Sequence, residues 1–261
     1  MEIQWPLAIF TLLTGAGGWM LACVAINEFT GKSKKDPFVP ALAALIVVII
    51  GGFASVLHLS HPDRIMNALS HPTSGIFIEA ALVGILSVCA IVQLICYKRG
   101  IKGAAKVFAV LSGVFGVIIS FMAGYSYIVM ASHPAWDTIL LPLAYLGTAA
   151  PMGAALYWAI ACPNEENGAS FAALLTGLFG VVGAALAAVY CASTGLFAGD
   201  TFALGAGAAV LDAVVAVIGF AGRNKSAAGL AWTAVVVALV AGLLLRVLMW
   251  VAGGQAFAFF G

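Results

Sequence analysis

Glu79 stands alone as an acid in a long apolar run, five positions after Ser74. A carboxyl group in lipid is costly, and such residues face a bundle interior or a water-filled cavity and mark proton relays or solute pathways. Just upstream, residues 52–64 gather His58, Ser60, His61, Asp63 and Arg64 into one short stretch. Arg246 lies six positions before Ala252 in the last apolar run, and Asp212 lies ten positions after Phe202 in the run before it. Burial disfavours the ionised form of a carboxylic acid and a nearby guanidinium favours it, so a carboxyl held between the two can exchange protons near neutrality. With the His58 imidazole beside it, the group has the parts to hydrogen-bond a quinone oxygen and take a proton from a quinol hydroxyl. The same groups are also compatible with structure alone: an ion pair of Glu79 with Arg246, and a histidine resting at the headgroup boundary.

Those side chains need elements to hold them, and composition says which. The chain has 261 residues, 64% hydrophobic and 8% charged, against about 25% charged in an ordinary soluble domain. It reads as a polytopic membrane protein with no room for a large aqueous domain. Eight apolar spans are predicted, at 6–27, 39–58, 74–97, 107–131, 138–161, 169–191, 202–222 and 228–252. Each is near the roughly 20 residues that cross a bilayer as helix, and far longer than the about 10 alternating residues of a barrel strand. The expected fold is all-α, a single bundle of transmembrane helices over residues 1–261, with eight spans divisible into two four-helix groups. The first span has no basic residue ahead of it and no small-residue cleavage site, so it is expected to remain as a helix.

Basic residues set the expected orientation. Lys32, Lys34, Lys35, Lys98, Arg99, Lys102, Lys106, Arg223 and Lys225 fall on one side and Arg64 on the other. By the positive-inside rule both termini face outward, as do the loops around His61, His133 and Asp200. At about 1.5 Å per helical residue, Glu79 should sit roughly 7 to 8 Å below the outer start of its span, and Arg246 about 9 Å from the same face. Asp212 falls near mid-bilayer, within reach of Arg246 or on a proton path.

Other features read as packing. Gly177, Gly180, Ala184 and Ala187 form a small-residue stripe of the kind that lets membrane helices touch. Pro142 and Pro151 are expected to bend or loosen the fifth span. Cys23, Cys89, Cys96, Cys162 and Cys191 are scattered singly, as small buried residues rather than as metal or cluster ligands. His61, His71 and His133 are expected in outer loops, solvated or touching a partner. No second histidine is placed deep in a facing span, so no haem and no metal site is expected. A formal net charge of +1 and the scatter of its basic residues exclude nucleic acid as a partner.

The start Trp5-Pro6-Leu7-Ala8-Ile9-Phe10-Thr11, the run Leu57-His58-Leu59 followed by Pro62-Asp63-Arg64-Ile65-Met66-Asn67-Ala68-Leu69, the Glu79 beyond it and Arg246 in the last span resemble the dimethyl sulfoxide reductase anchor subunit (DmsC) family. The resemblance implies an inner-membrane subunit of a bacterial respiratory complex, with menaquinol as bound substrate. It also implies two partners on the periplasmic side, a molybdopterin catalytic subunit and an iron–sulfur subunit carrying the clusters. His58 and Glu79 then resemble the quinol-site residues, with Arg64 and Arg246 as further binding residues; Asp212 has no counterpart. Two other readings stay open: a quinone-linked anchor of the polysulfide reductase type, and a small-solute transporter whose route is lined by Asp212, Glu79 and Arg246.

Overall fold

The structure is a computed structural model and describes residues 2–57, 73–130, 132–161, 166–223 and 228–254. Eight α-helices are found among them: α1 (Trp5–Thr30), α2 (Phe38–Val56), α3 (Gly75–Lys98), α4 (Lys102–Tyr125), α5 (Leu140–Ala161), α6 (Glu166–Ser193), α7 (Phe202–Gly222) and α8 (Ala228–Ala252). All eight are long and apolar enough to span a membrane, and the described residues contain no strand. The all-α expectation and the count of eight both hold.

Local chemistry sets the helix ends. Pro6 sits in the first turn of α1, where its missing N–H costs nothing, and Gly31 closes that helix in the left-handed conformation. Ser74 caps α3 by accepting the Phe77 N–H at 3.2 Å. The three-residue link from α3 to α4 depends on Gly100 at φ +69°, which lets Ile101 N–H bond back to the Cys96 carbonyl at 3.0 Å.

The spans differ from expectation most at α4. It begins at Lys102 rather than 107, because the aliphatic stems of Lys102 and Lys106 extend the helix while their ammonium groups stay at its end. The Lys106 ammonium lies 5.8 Å from the Phe29 ring centre. It stops at Tyr125 rather than 131, and the chain continues in turns through Ser126 to Val129.

The helices form two four-helix groups. In the first, α1 packs on α2 and α4, and α3 closes the ring between them; in the second, α5 packs on α6 and α8, and α7 closes the ring. The groups meet chiefly through α1 against α5 and α4 against α5. α1 and α5 are accordingly the most enclosed helices, whereas α3 is the most peripheral. With little hydrophobic drive between helices in lipid, close approach depends on small residues. A Cβ on Gly18 of α1 would stand 2.6 Å from the Gly116 carbonyl oxygen of α4, so the two backbones touch there. The small-residue stripe on α6 does the same: a Cβ on Gly180 would lie 2.6 Å from the Ala216 nitrogen of α7. The four described cysteines, Cys23, Cys89, Cys96 and Cys191, are buried and form no disulfide.

Candidate functional site

Up-and-down helices bring the start of α3, the end of α4, the end of α8 and the segment between α4 and α5 to one end of the bundle. Glu79 is the fifth residue of α3 and half-buried. Its Oε1 accepts a hydrogen bond from the Ser126 hydroxyl at 2.6 Å, and the same hydroxyl lies 3.1 Å from the Met122 carbonyl. Gly75 makes this approach possible, since a Cβ there would stand 3.1 Å from Ser126 Oγ. Ser126 follows the last residue of α4, where the helix gives way to turns, and so its side chain is directed at the beginning of α3.

Beside this acid the bundle end is closed by aromatic rings. Trp136 contacts Tyr127 at 5.2 Å and Trp250 at 5.7 Å between ring centres, both edge to face. Its indole N–H donates to the Met249 carbonyl at 2.8 Å, and Tyr190 donates to the Ala135 carbonyl at 2.9 Å. Burial, then the neighbouring Tyr145 and Glu79, push the Tyr127 hydroxyl well above its usual range, so it remains a neutral donor. His133 lies in the loop between α4 and α5, as expected, and is half-buried with its ring 4.5 Å from that of Trp136.

Arg246 does not pair with Glu79. It is fully buried, and its guanidinium is consumed in the core between α1, α5 and α8. Nε donates to Thr11 Oγ1 at 3.1 Å, Nη2 to the Thr11 carbonyl at 3.1 Å and Nη1 to the Gly242 carbonyl at 2.8 Å. The Tyr145 ring lies against it, 4.8 Å from Cζ to ring centre. Nor does Arg246 form an ion pair with Asp212: the acid is fully buried, and neither of its oxygens has a hydrogen-bond partner among the described residues.

The candidate residues therefore separate into a peripheral pair, Glu79 with Ser126, and a central set, Arg246 with Thr11, Tyr145 and Asp212 nearby. α2 ends at Val56, so His58 and Arg64, with His61 and His71, lie outside the described residues. Among the described residues no three His, Cys, Asp or Glu side chains are grouped to hold a metal ion. An apolar cleft of about 370 Å³ opens between α1 and α4, lined by Ala22, Phe29, Gly113 and Val117 among others and by none of the candidate residues. Sequence reasoning missed Ser126, Tyr145 and the part played by Thr11. A hydroxyl at the edge of an apolar run and two polar residues inside apolar helices were the available signals.

A protein of eight membrane-length apolar helices, with a half-buried acid at one end of the bundle and no aqueous domain among the described residues, is the class these observations define. Known proteins give it a family. The model of the DMSO reductase anchor subunit (DmsC) family matches residues 1–253, and the chain belongs to that family. It is 25% identical over 173 residues to the C subunit of the anaerobic dimethyl sulfoxide reductase of Haemophilus influenzae, covering 62% of this chain and 60% of that one. It is 26% identical over 152 residues to the protein of the same name in Escherichia coli, covering 56% of this chain and 53% of that one. The matches thus span just over half the length of these curated relatives. The family membership also chooses among the readings left open by the sequence: an anchor subunit, not a solute transporter.

Proposed function

We propose that the chain anchors a DMSO-reductase-type molybdenum complex in the bacterial inner membrane and oxidises menaquinol at the bundle end that carries Glu79. The observation that carries this reading is the Glu79 carboxylate, half-buried on the most peripheral helix and held by Ser126. A lipid-soluble quinol can reach a site on an outer helix laterally, and an acid there can take the proton from its hydroxyl. His58 and Arg64 lie two and eight residues beyond the end of α2 in the sequence, α2 packs against α3, and the two side chains would hold the quinol oxygens. Arg246 acts from the core, fixing Tyr145 behind the site rather than touching the quinol. The two electrons leave to an iron–sulfur subunit docked on the same end, and a molybdopterin subunit beyond it performs the terminal reduction. Quinone carries the redox chemistry, and this chain supplies the pocket, the proton acceptor and the anchor. The lysine-rich loops at the opposite end face the cytoplasm in this reading, so protons are released on the periplasmic side.

Glu79→Gln tests the site. The complex should assemble normally and reduce its acceptor from an artificial dye at the parental rate. Quinol-driven turnover should fall about 10²–10⁴-fold, the usual contribution of a positioned proton acceptor. An unchanged quinol-driven rate removes Glu79 from the mechanism. Purification in mild detergent tests the anchor: two cofactor-bearing subunits should co-elute, and a chain that elutes alone from its native membrane overturns that part.

A further inference from the structure

Asp212 is left unused by the quinol site, and its surroundings are chemically specific. Its carboxyl group is wholly enclosed between α6, α7 and α5, and no donor reaches either oxygen among the described residues. What it meets is another acceptor. A Cβ on Gly183 of α6 would stand 2.7 Å from Asp212 Oδ2 and 3.0 Å from the Gly147 carbonyl oxygen of α5. Both oxygens border the small space that the missing side chain leaves.

The Gly147 carbonyl faces outward for a reason written in the sequence. In a helix it would bond the N–H of the residue four positions on, and that residue is Pro151, inside α5. Proline has no N–H to give. A buried carbonyl without its helical partner therefore stands near a buried carboxyl without a donor, and two acceptors repel unless a proton lies between them. An unpaired carboxylate enclosed in low dielectric costs far more than a neutral acid that donates one hydrogen bond. Arg246 has all three of its guanidinium nitrogens bonded to Thr11 and Gly242.

We propose that Asp212 is an intramembrane proton-binding site, separate from the quinol site, whose proton is donated to the Gly147 carbonyl exposed by Pro151. The bound proton joins α7 to α5 across the second four-helix group. It also explains how an acid is tolerated at a close packing of α6 on α7, where Gly180 and Gly183 leave no side chain in the way. The site does not depend on the assignment of Glu79, and it stands or falls by its own measurement.

Infrared spectroscopy of the full chain in lipid nanodiscs reads the proton directly. At neutral pH the parent should show a protonated-carboxyl stretching band that shifts in deuterium oxide, is lost in Asp212→Asn and persists in Glu79→Gln. Absence of any band lost in Asp212→Asn overturns the proposal. Exchanging potassium chloride for sodium chloride should leave the band unchanged; its loss in sodium would make the site a cation site and overturn the assignment. Pro151→Ala returns an N–H to the Gly147 carbonyl and should move the Asp212 band to higher frequency, and an unmoved band rejects Gly147 as acceptor. Asp212→Asn, whose amide can still donate to that carbonyl, should melt close to the parent, while Asp212→Leu should melt lower. Equal melting of the Leu and Asn variants would count against the bridge.

Discussion

Glu79 and Asp212 are both acids inside apolar helices, yet their settings are opposed. Glu79 is half-buried on α3, the most peripheral helix, with a hydroxyl donating to it. Asp212 is fully buried in the second group with a carbonyl as its neighbour and no donor among the described residues. An acid at the edge can exchange its proton with something arriving from the lipid. An acid sealed in the centre can only hold one. In the proposed reading the same chemical group serves turnover at one site and cohesion at the other, and the difference lies in exposure and in the sign of the neighbouring dipole.

Arg246 offers the hardest test of that division. Arg246→Ala removes three buried hydrogen bonds and opens a cavity between α1, α5 and α8, and should lower stability by about 3–5 kcal/mol in thermal unfolding in detergent. Glu79→Gln should unfold within about 1 kcal/mol of the parent, because glutamine still accepts from Ser126. Comparable losses at both positions would erase the distinction between an edge site and a structural core. A smaller effect is expected from Thr11→Val, which keeps the shape and deletes the hydroxyl that accepts from Arg246 Nε and donates to the Ala8 carbonyl at 3.2 Å. A hydrogen bond to a charged group contributes about 1.5–3 kcal/mol, and the surviving bond to the Thr11 carbonyl places the loss at the low end. Quinol-driven turnover should stay near parental, since the guanidinium does not move away from Tyr145.

How far this arrangement is legible in the sequence differs between its parts. The eight helices are legible because apolar length alone defines a membrane span, and α7 and α8 begin and end where polarity changes. Position along the helix is legible too, since Glu79 lies five residues beyond its Ser74 cap as counted. Direction is not. Arg246 has the length to reach several neighbours, and only the packing of α1 against α8 decides that it meets Thr11. The end of α4 escapes a hydropathy reading because the apolar stretch after Tyr125 forms turns under an aromatic cap, and hydropathy does not separate an apolar turn from an apolar helix. That ambiguity hides Ser126. Pro151 is visible as a kink, but which buried group faces the carbonyl it exposes depends on the neighbouring α6 and α7, which no local pattern encodes.

Ser126 gives the finest cut at the edge site. Ser126→Ala leaves Glu79 in place and removes the hydroxyl that, among the described residues, donates to its carboxylate. The site is half-exposed, so water can replace part of the bond, and the expected loss is about 1.4 kcal/mol, a tenfold drop in quinol-driven turnover rather than a collapse. Ser126→Thr keeps the hydroxyl and should recover most of the rate. A purely structural serine would leave quinol and dye activities in their parental ratio. A positioning serine changes that ratio, lowering kcat for quinol more than it raises KM, because it orients the acceptor and does not bind the substrate. If alanine and threonine behave alike, Glu79 is positioned by α3 alone, and the edge acid needs no donor beside it.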